Sequence, residues 1–157
     1  MTWVDILTTV AVLGCGLVAG AFMPFSSFVV RTLRELSPDE GMRTMQSINR
    51  TILRSSFLLV FLVTTLVALV LGIVAVLEWR AGSPWLLAGA LVYLVGVFVV
   101  TIVFNVPRNN ALDAASARTP DGQRLWADYL QGWVAWNHVR TAAACLATVF
   151  FALALAV

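Results

Sequence analysis

Four long apolar runs, at residues 4–30, 57–77, 84–104 and 139–157, divide this chain and restrict what it can fold into. Each is long enough to cross a membrane as a helix, which takes about 20 residues, with a range of roughly 17–25. Inside lipid the backbone must bond to itself, so only helices and closed barrels span. Barrel strands alternate with period two, and none of the four runs does. The pattern predicts an all-α, integral membrane, four-helix up-down bundle forming a single domain over residues 1–157. Composition agrees: 61% of residues are hydrophobic, 11% are charged, and mean hydropathy is +0.91. A soluble domain carries about 25% charged residues. The first run ends near a small-residue Ala19-Gly20-Ala21 stretch, yet its start has Asp5 and no basic residue, so it reads as a retained span rather than a signal peptide.

The runs are joined by two long hydrophilic connections and one short one. Residues 31–56 carry Arg31, Arg34, Arg43, Arg50 and Arg54, and residues 105–138 carry Arg108, Arg118 and Arg124. The short connection, 78–83, has only Arg80. The positive-inside rule assigns both long loops to the cytoplasm and both termini to the outside of the cell membrane. Trp3, Trp79 and Trp85 then form an outer aromatic belt. Ser37-Pro38-Asp39-Glu40 reads as a capped helix start, with proline at the first position and Glu40 closing a capping box. Thr119-Pro120-Asp121 is similar. Both long loops are therefore expected to hold helical extensions, near 42–54 and 123–136. Glycine pairs at 16/20 and 89/96, and Ala143/Ala147, mark faces where helices can approach closely.

Alternation of the spans places four helix ends at one depth on the loop side. They bring Ser26 and Ser27, then Asn49, Arg50 and Arg54, then Thr101, Asn105 and Asn109, then Trp133, Asn137, His138 and Arg140. Polar groups at a membrane helix end are costly to bury and point to a function by default. Trp133, Asn137 and Arg140 follow helical spacing along one stripe. Trp136 lies one step from Asn137 and can share that side. His138 is rotated by about 100° from Asn137, so at most one of the two faces the bundle centre squarely. Pro107 removes a backbone donor and disfavours helix at Val106, so the third span is expected to end there. Asn105 then either satisfies carbonyls at the helix end or turns inward with Asn109 toward a polar ligand group. Simpler roles compete: Arg140 can snorkel to headgroups, and the tryptophans can anchor at the interface.

Several chemistries lack their residues. One histidine and two cysteines, Cys15 and Cys145 within separate apolar runs, supply no three-ligand zinc or non-haem iron set. No glycine-rich phosphate loop is present. A net charge of +2 without a basic soluble face gives no reason to expect nucleic acid as a partner.

Four motifs then carry a resemblance: Gly20–Ser26 (GAFMPFS), Met45–Asn49 (MQSIN), Thr101–Asn109 (TIVFNVPRN) and Trp133–Arg140 with Thr141 (WVAWNHVRT). In order and spacing the chain resembles the anthrone oxygenase-like family of small four-helix membrane proteins. The resemblance implies oxidation of an anthrone to an anthraquinone by dioxygen, with no cofactor. On that reading His138, Asn137 and Arg140 are the catalytic candidates, with His138 as base because its ordinary pKa lies near neutrality. Asn49, Asn105, Asn109, Trp133 and Trp136 are the substrate-binding candidates, the tryptophans stacking on a flat tricycle. Asn105, Asn109, Asn137 or Arg140 would stabilise an oxyanion. No residue is assigned to a metal.

The residues themselves also suit a non-catalytic membrane module that binds a lipid or quinone or assists a partner protein. The expected partners are the lipid bilayer and a hydrophobic aromatic or lipid-like small molecule, with a homo-oligomer left open.

Overall fold

A computed structural model describes residues 2–157 and is helical throughout its ordered elements. Four helices are long and apolar enough to cross a membrane: α1 (Trp3–Glu35), α3 (Ser56–Leu77), α4 (Ser83–Asp113) and α5 (Pro120–Leu155). A shorter amphipathic helix, α2 (Pro38–Ile52), lies between α1 and α3. The chain is thus a multi-pass membrane protein in architecture.

The spans form a closed square in which α1 neighbours α3 and α5, and α4 neighbours the same two. Contacts along each side pair rising residue numbers with falling ones. Phe22 meets Phe57 while Gly14 abuts Thr64; Phe61 meets Phe98 while Gly72 abuts Ala90. On α4 and α5, Gly89 abuts Phe151, Gly96 abuts Ala143, and Asn105 bonds to Trp133. Lipid tails are as apolar as leucine, so these helices are held by close packing rather than by expulsion from water. A Cβ on Gly96 would sit 2.5 Å from the Ala143 methyl, and one on Gly14 would overlap the Thr64 hydroxyl. Gly16 and Gly20 behave otherwise. Both face outward with nothing near them, so the close approach of α1 to α3 runs through Gly14.

Two cores result. The membrane core packs Cys15, Val18, Leu71, Tyr93, Val97, Ala144 and Phe151 between the spans. A second, at the loop end, packs Met42 and Met45 of α2 against Leu33, Leu112, Trp126, Tyr129 and Trp133. The capping box expected at Ser37 and Glu40 is present, and the Thr119 side chain caps Gly122. Beside it, the hydrogen bond from Arg43 holds the Asp39 carboxyl below its ordinary value, helped by the charges of Arg43 and Arg118.

The helices differ from the sequence expectation in three ways. The fourth span and its loop helix are one continuous rod, as expected of an extension, but α2 does not extend the second span: a turn at 53–55 separates it from α3. Helix α1 continues to Glu35, five residues past the apolar run. Helix α4 does not stop at Pro107; it runs on to Asp113. The reason is a change of hydrogen-bond register. Residues Leu94–Val99 and Thr101–Asn105 are π-helical, so Pro107 falls at the start of a fresh α segment, Val106–Asp113, where a missing N–H costs little. Arg108 also donates to the Phe104 carbonyl at 2.7 Å. A third π segment, Phe25–Val29, lies on α1. Such bulges concentrate at functional sites, and here they flank the polar end of the bundle.

Candidate functional site

The side chains at this end are arranged around Arg140. Arg140 is 5% exposed, and its guanidinium has no carboxylate partner among the described residues. Nη2 donates to Asn137 Oδ1 at 2.6 Å, and Nη1 donates to Thr101 Oγ1 at 3.2 Å. The group lies 4.2 Å above the Phe22 ring and 5.3 Å from the Trp133 ring. Neutral dipoles and ring faces thus surround the cation, which a buried charge normally tolerates only with a counter-charge nearby. Nε of Arg140 has no partner, and neither has the indole Nε1 of Trp133.

Asn137 fixes this geometry. It is fully buried and donates Nδ2 to the Phe22 carbonyl at 2.9 Å and to Ser26 Oγ at 2.8 Å. Thr141 donates to the Asn137 carbonyl, so the 3.1 Å contact between Ser26 and Thr141 has Ser26 as its donor. A ring of hydrogen bonds therefore clamps α1 to α5 and holds Asn137 Oδ1 toward Arg140. The π segment of α1 brings Ser26 into that ring.

A cavity of about 250 Å³ opens beside Arg140, close to the lower end of the roughly 300–1,000 Å³ usual for small-molecule sites. Its walls are mostly aromatic and aliphatic: Phe22 and Phe25 of α1, Phe57 and Phe61 of α3, Phe98 of α4 and Trp133 of α5. Polar groups reach it from Asn49, Thr101, Asn109 and Arg140. Behind this wall the Tyr129 hydroxyl donates to Asn109 Oδ1 at 2.9 Å and accepts from Asn49 Nδ2 at 3.4 Å, tying α2, α4 and α5 together.

The residues singled out in the sequence divide as follows. Asn49, Asn109, Trp133 and Arg140 line the cavity. Asn137 and Asn105 stand buried behind it. Asn105 donates to the Trp133 carbonyl at 3.2 Å and leaves Oδ1 without a partner. It therefore turns inward, toward α5, rather than capping a helix end. Trp136 does not reach the cavity; its ring stacks on Phe104 at 3.6 Å. His138 is exposed on the outer face of α5 and lines no part of the cavity. The 100° offset that turns Asn137 inward turns His138 away, so a base role for His138 in this cavity has no geometric support. Tyr129 was missed, although it lies on the stripe of Trp133, Asn137 and Arg140, one turn earlier. No cluster of three His, Cys, Asp or Glu side chains occurs among the described residues.

Comparison with known proteins adds one finding. A sequence model described as anthrone oxygenase matches residues 45–150, more than half of the chain. The chain belongs to the anthrone oxygenase family. The match begins at the MQSIN motif of α2 and includes the motifs of α4 and α5, so it covers every polar residue lining the cavity. No curated protein and no solved structure matches this anthrone oxygenase family member.

Proposed function

We propose that this family member is a membrane-embedded oxygenase that oxidises a phenolic or polycyclic aromatic substrate with dioxygen, without a cofactor. One observation carries the reading: a buried arginine without a carboxylate partner stands on the wall of a mostly apolar cavity, its charge met only by neutral dipoles and ring faces. The complement of that surface is a flat apolar molecule carrying an oxyanion. An anthrone fits because its enolate is delocalised and places negative charge on one oxygen. The Arg140 cation stabilises that oxygen, which draws the substrate toward its ionised form, while the Trp133 ring supplies an apolar wall. The methylene proton leaves to water, the enolate passes an electron to dioxygen, and the two radicals combine at the former methylene carbon; the peroxide anion takes a proton back from water, then loses its C–H proton as the O–O bond breaks and water departs. Anthrone plus dioxygen thus gives anthraquinone plus water; the substrate is the reductant and dioxygen the oxidant. Asn137 and Thr101 hold the guanidinium in place while charge moves.

Purified protein in lipid nanodiscs should consume dioxygen with 1,8-dihydroxyanthrone well above the spontaneous rate, and should do so in the presence of a chelator. Arg140→Gln should lower that rate by about 100-fold or more, the usual loss on removing an oxyanion donor. A rate no greater than background, or an undiminished Arg140→Gln variant, overturns the proposal.

A second reading keeps the ligand and drops the reaction. The cavity has no histidine or carboxylate in its lining to accept a proton, which favours a module that binds a quinone or lipid-like molecule through the same donors. Binding of 1,8-dihydroxyanthraquinone with no oxygen uptake would select it.

The orientation we propose has both termini outside and both long loops in the cytoplasm, supported by the arginines of those loops and the exposed Trp3, Trp79 and Trp85 at the opposite end. Reporter fusions at Val157 and near Ser116 should read opposite sides, with Val157 outside; a cytoplasmic C-terminus rejects it.

A further inference from the structure

The cavity is closed on most sides by bonded or packed elements. Helix α2 covers the loop end and is fastened by three ties. Gln46 donates to the Leu112 and Ala115 carbonyls at 2.8 and 3.1 Å, Arg50 pairs with Asp113 at 2.6 Å, and Asn49 bonds to Tyr129. The α1–α5 side is clamped by the Asn137, Ser26 and Thr141 ring and by Phe25 against Trp133, ring centroids 5.7 Å apart. Toward the membrane core, Phe61 and Phe98 stack 6.1 Å apart and form a floor.

The α3–α4 side differs. Helix α3 packs closely on residues 83–93, but the approach weakens along 94–99 and is all but gone by 101–105. The helices splay apart at the cavity's level. The lining residues that are also exposed gather on this side: Leu62 of α3, Ile102 and Val106 of α4, and Leu53 of the intervening turn. All four are aliphatic. A route for a water-borne polar ligand would need polar walls, whereas a route from lipid needs the walls seen here.

We infer that the cavity is loaded sideways from the loop-side leaflet of the bilayer, through the cleft between α3 and α4, with Leu62 and Ile102 as its jambs. The inference rests on the proposed ligand class, an apolar molecule dissolved in lipid, and it adds the path and the residues that set its width. Occupancy then follows the mole fraction of ligand in the membrane, not its aqueous concentration. Jamb size selects ligands by thickness: a flat ring system passes and a puckered one does not.

The test uses the full chain in nanodiscs with both native cysteines replaced (Cys15→Ala, Cys145→Ala) and one thiol placed on the cavity side of α2 at a buried lining position, Met45→Cys. Two reagents compete for that thiol: a long-chain N-alkyl maleimide dissolved in the bilayer, and a charged maleimide confined to water. The expected result is labelling by the lipid-borne reagent at least tenfold faster, slowed at least tenfold by Leu62→Trp with Ile102→Trp. Labelling chiefly by the charged reagent, an unchanged rate with both tryptophans, or labelling by neither reagent overturns the inference. Separately, 1,8-dihydroxyanthraquinone should protect the thiol. If the labelling pattern holds and protection fails, the path stands and the ligand class proposed for the site falls. Circular dichroism and thermal melting of the double tryptophan variant confirm that a slowed rate is not misfolding.

Discussion

Asn137 offers the sharpest test of the site, because two substitutions there should move stability and binding in different directions. Asn137→Ala removes a bond from the Arg140 guanidinium and two donations from the amide, all within a fully buried environment. A hydrogen bond to a charged group contributes about 1.5–3 kcal/mol, and each neutral one about 0.5–1.5 kcal/mol. The sum is about 2.5–6 kcal/mol. At roughly 2–4 °C per kcal/mol for a chain of this size, Tm in detergent should fall on the order of 10 °C. Asn137→Asp keeps the shape and gives Arg140 a carboxylate at the same oxygen position. Ser26 can turn its hydroxyl from Thr141 to the carboxylate, and the Phe22 carbonyl, still accepting from the Phe25 backbone, loses its bond to the side chain and faces a second acceptor. Stability should therefore fall by less than in Asn137→Ala, since two neutral bonds, about 0.5–1.5 kcal/mol each, are lost while the charge gains a partner. The ligand's oxyanion, however, meets a cation already neutralised. Oxygen uptake with 1,8-dihydroxyanthrone should drop at least tenfold, a change worth about 1.4 kcal/mol. Thermal melting and oxygen-electrode rates on the two variants decide the matter. An Asn137→Asp protein that is stable and fully active would refute the idea that the site is built to receive negative charge at Arg140.

His138→Ala should leave oxygen uptake within about twofold of the parent, because the ring lies outside the cavity; a loss of about 10²–10⁴-fold, typical of a missing general base, would restore it as the base. Gly14→Ala should destabilise by about 1–3 kcal/mol through overlap with Thr64. Gly16→Ala and Gly20→Ala should leave Tm unchanged or raise it slightly, since both face open space; a large drop for either would mean that a second molecule packs on that face.

The amino-acid order made the spans legible because hydrocarbon tolerates so few alternatives. Their ends were less legible. Polarity marks where lipid stops, but helices α1, α4 and α5 continue past that point, as residues 31–35, 106–113 and 120–138 show. Pro107 misled for a related reason: its rule presumes α register upstream, and two π segments had already changed it. Spacing grouped Trp133, Asn137 and Arg140 correctly, and it also separated Asn137 from His138, without saying which of them faces inward. The pair Gly16 and Gly20 shows the same limit, since periodicity names a shared face and only the neighbours decide where it points. Tyr129 was within reach of the same argument, lying one turn before Trp133. Its hydroxyl looked unremarkable until Asn49 and Asn109 arrived from two other helices.

The placement of Arg140 also bears on how the protein is made. An arginine opposes insertion by about 2.5–3.5 kcal/mol at the centre of a span and by less at its mouth, where Arg140 lies. The groups that shelter it, the Phe22 ring and Thr101, belong to α1 and α4, and Asn137 is itself held by α1. Both helices precede α5 in the chain and leave the ribosome earlier. The final segment therefore enters a membrane where its hosts are already waiting. Assembly order is in this sense written into the position of a single guanidinium.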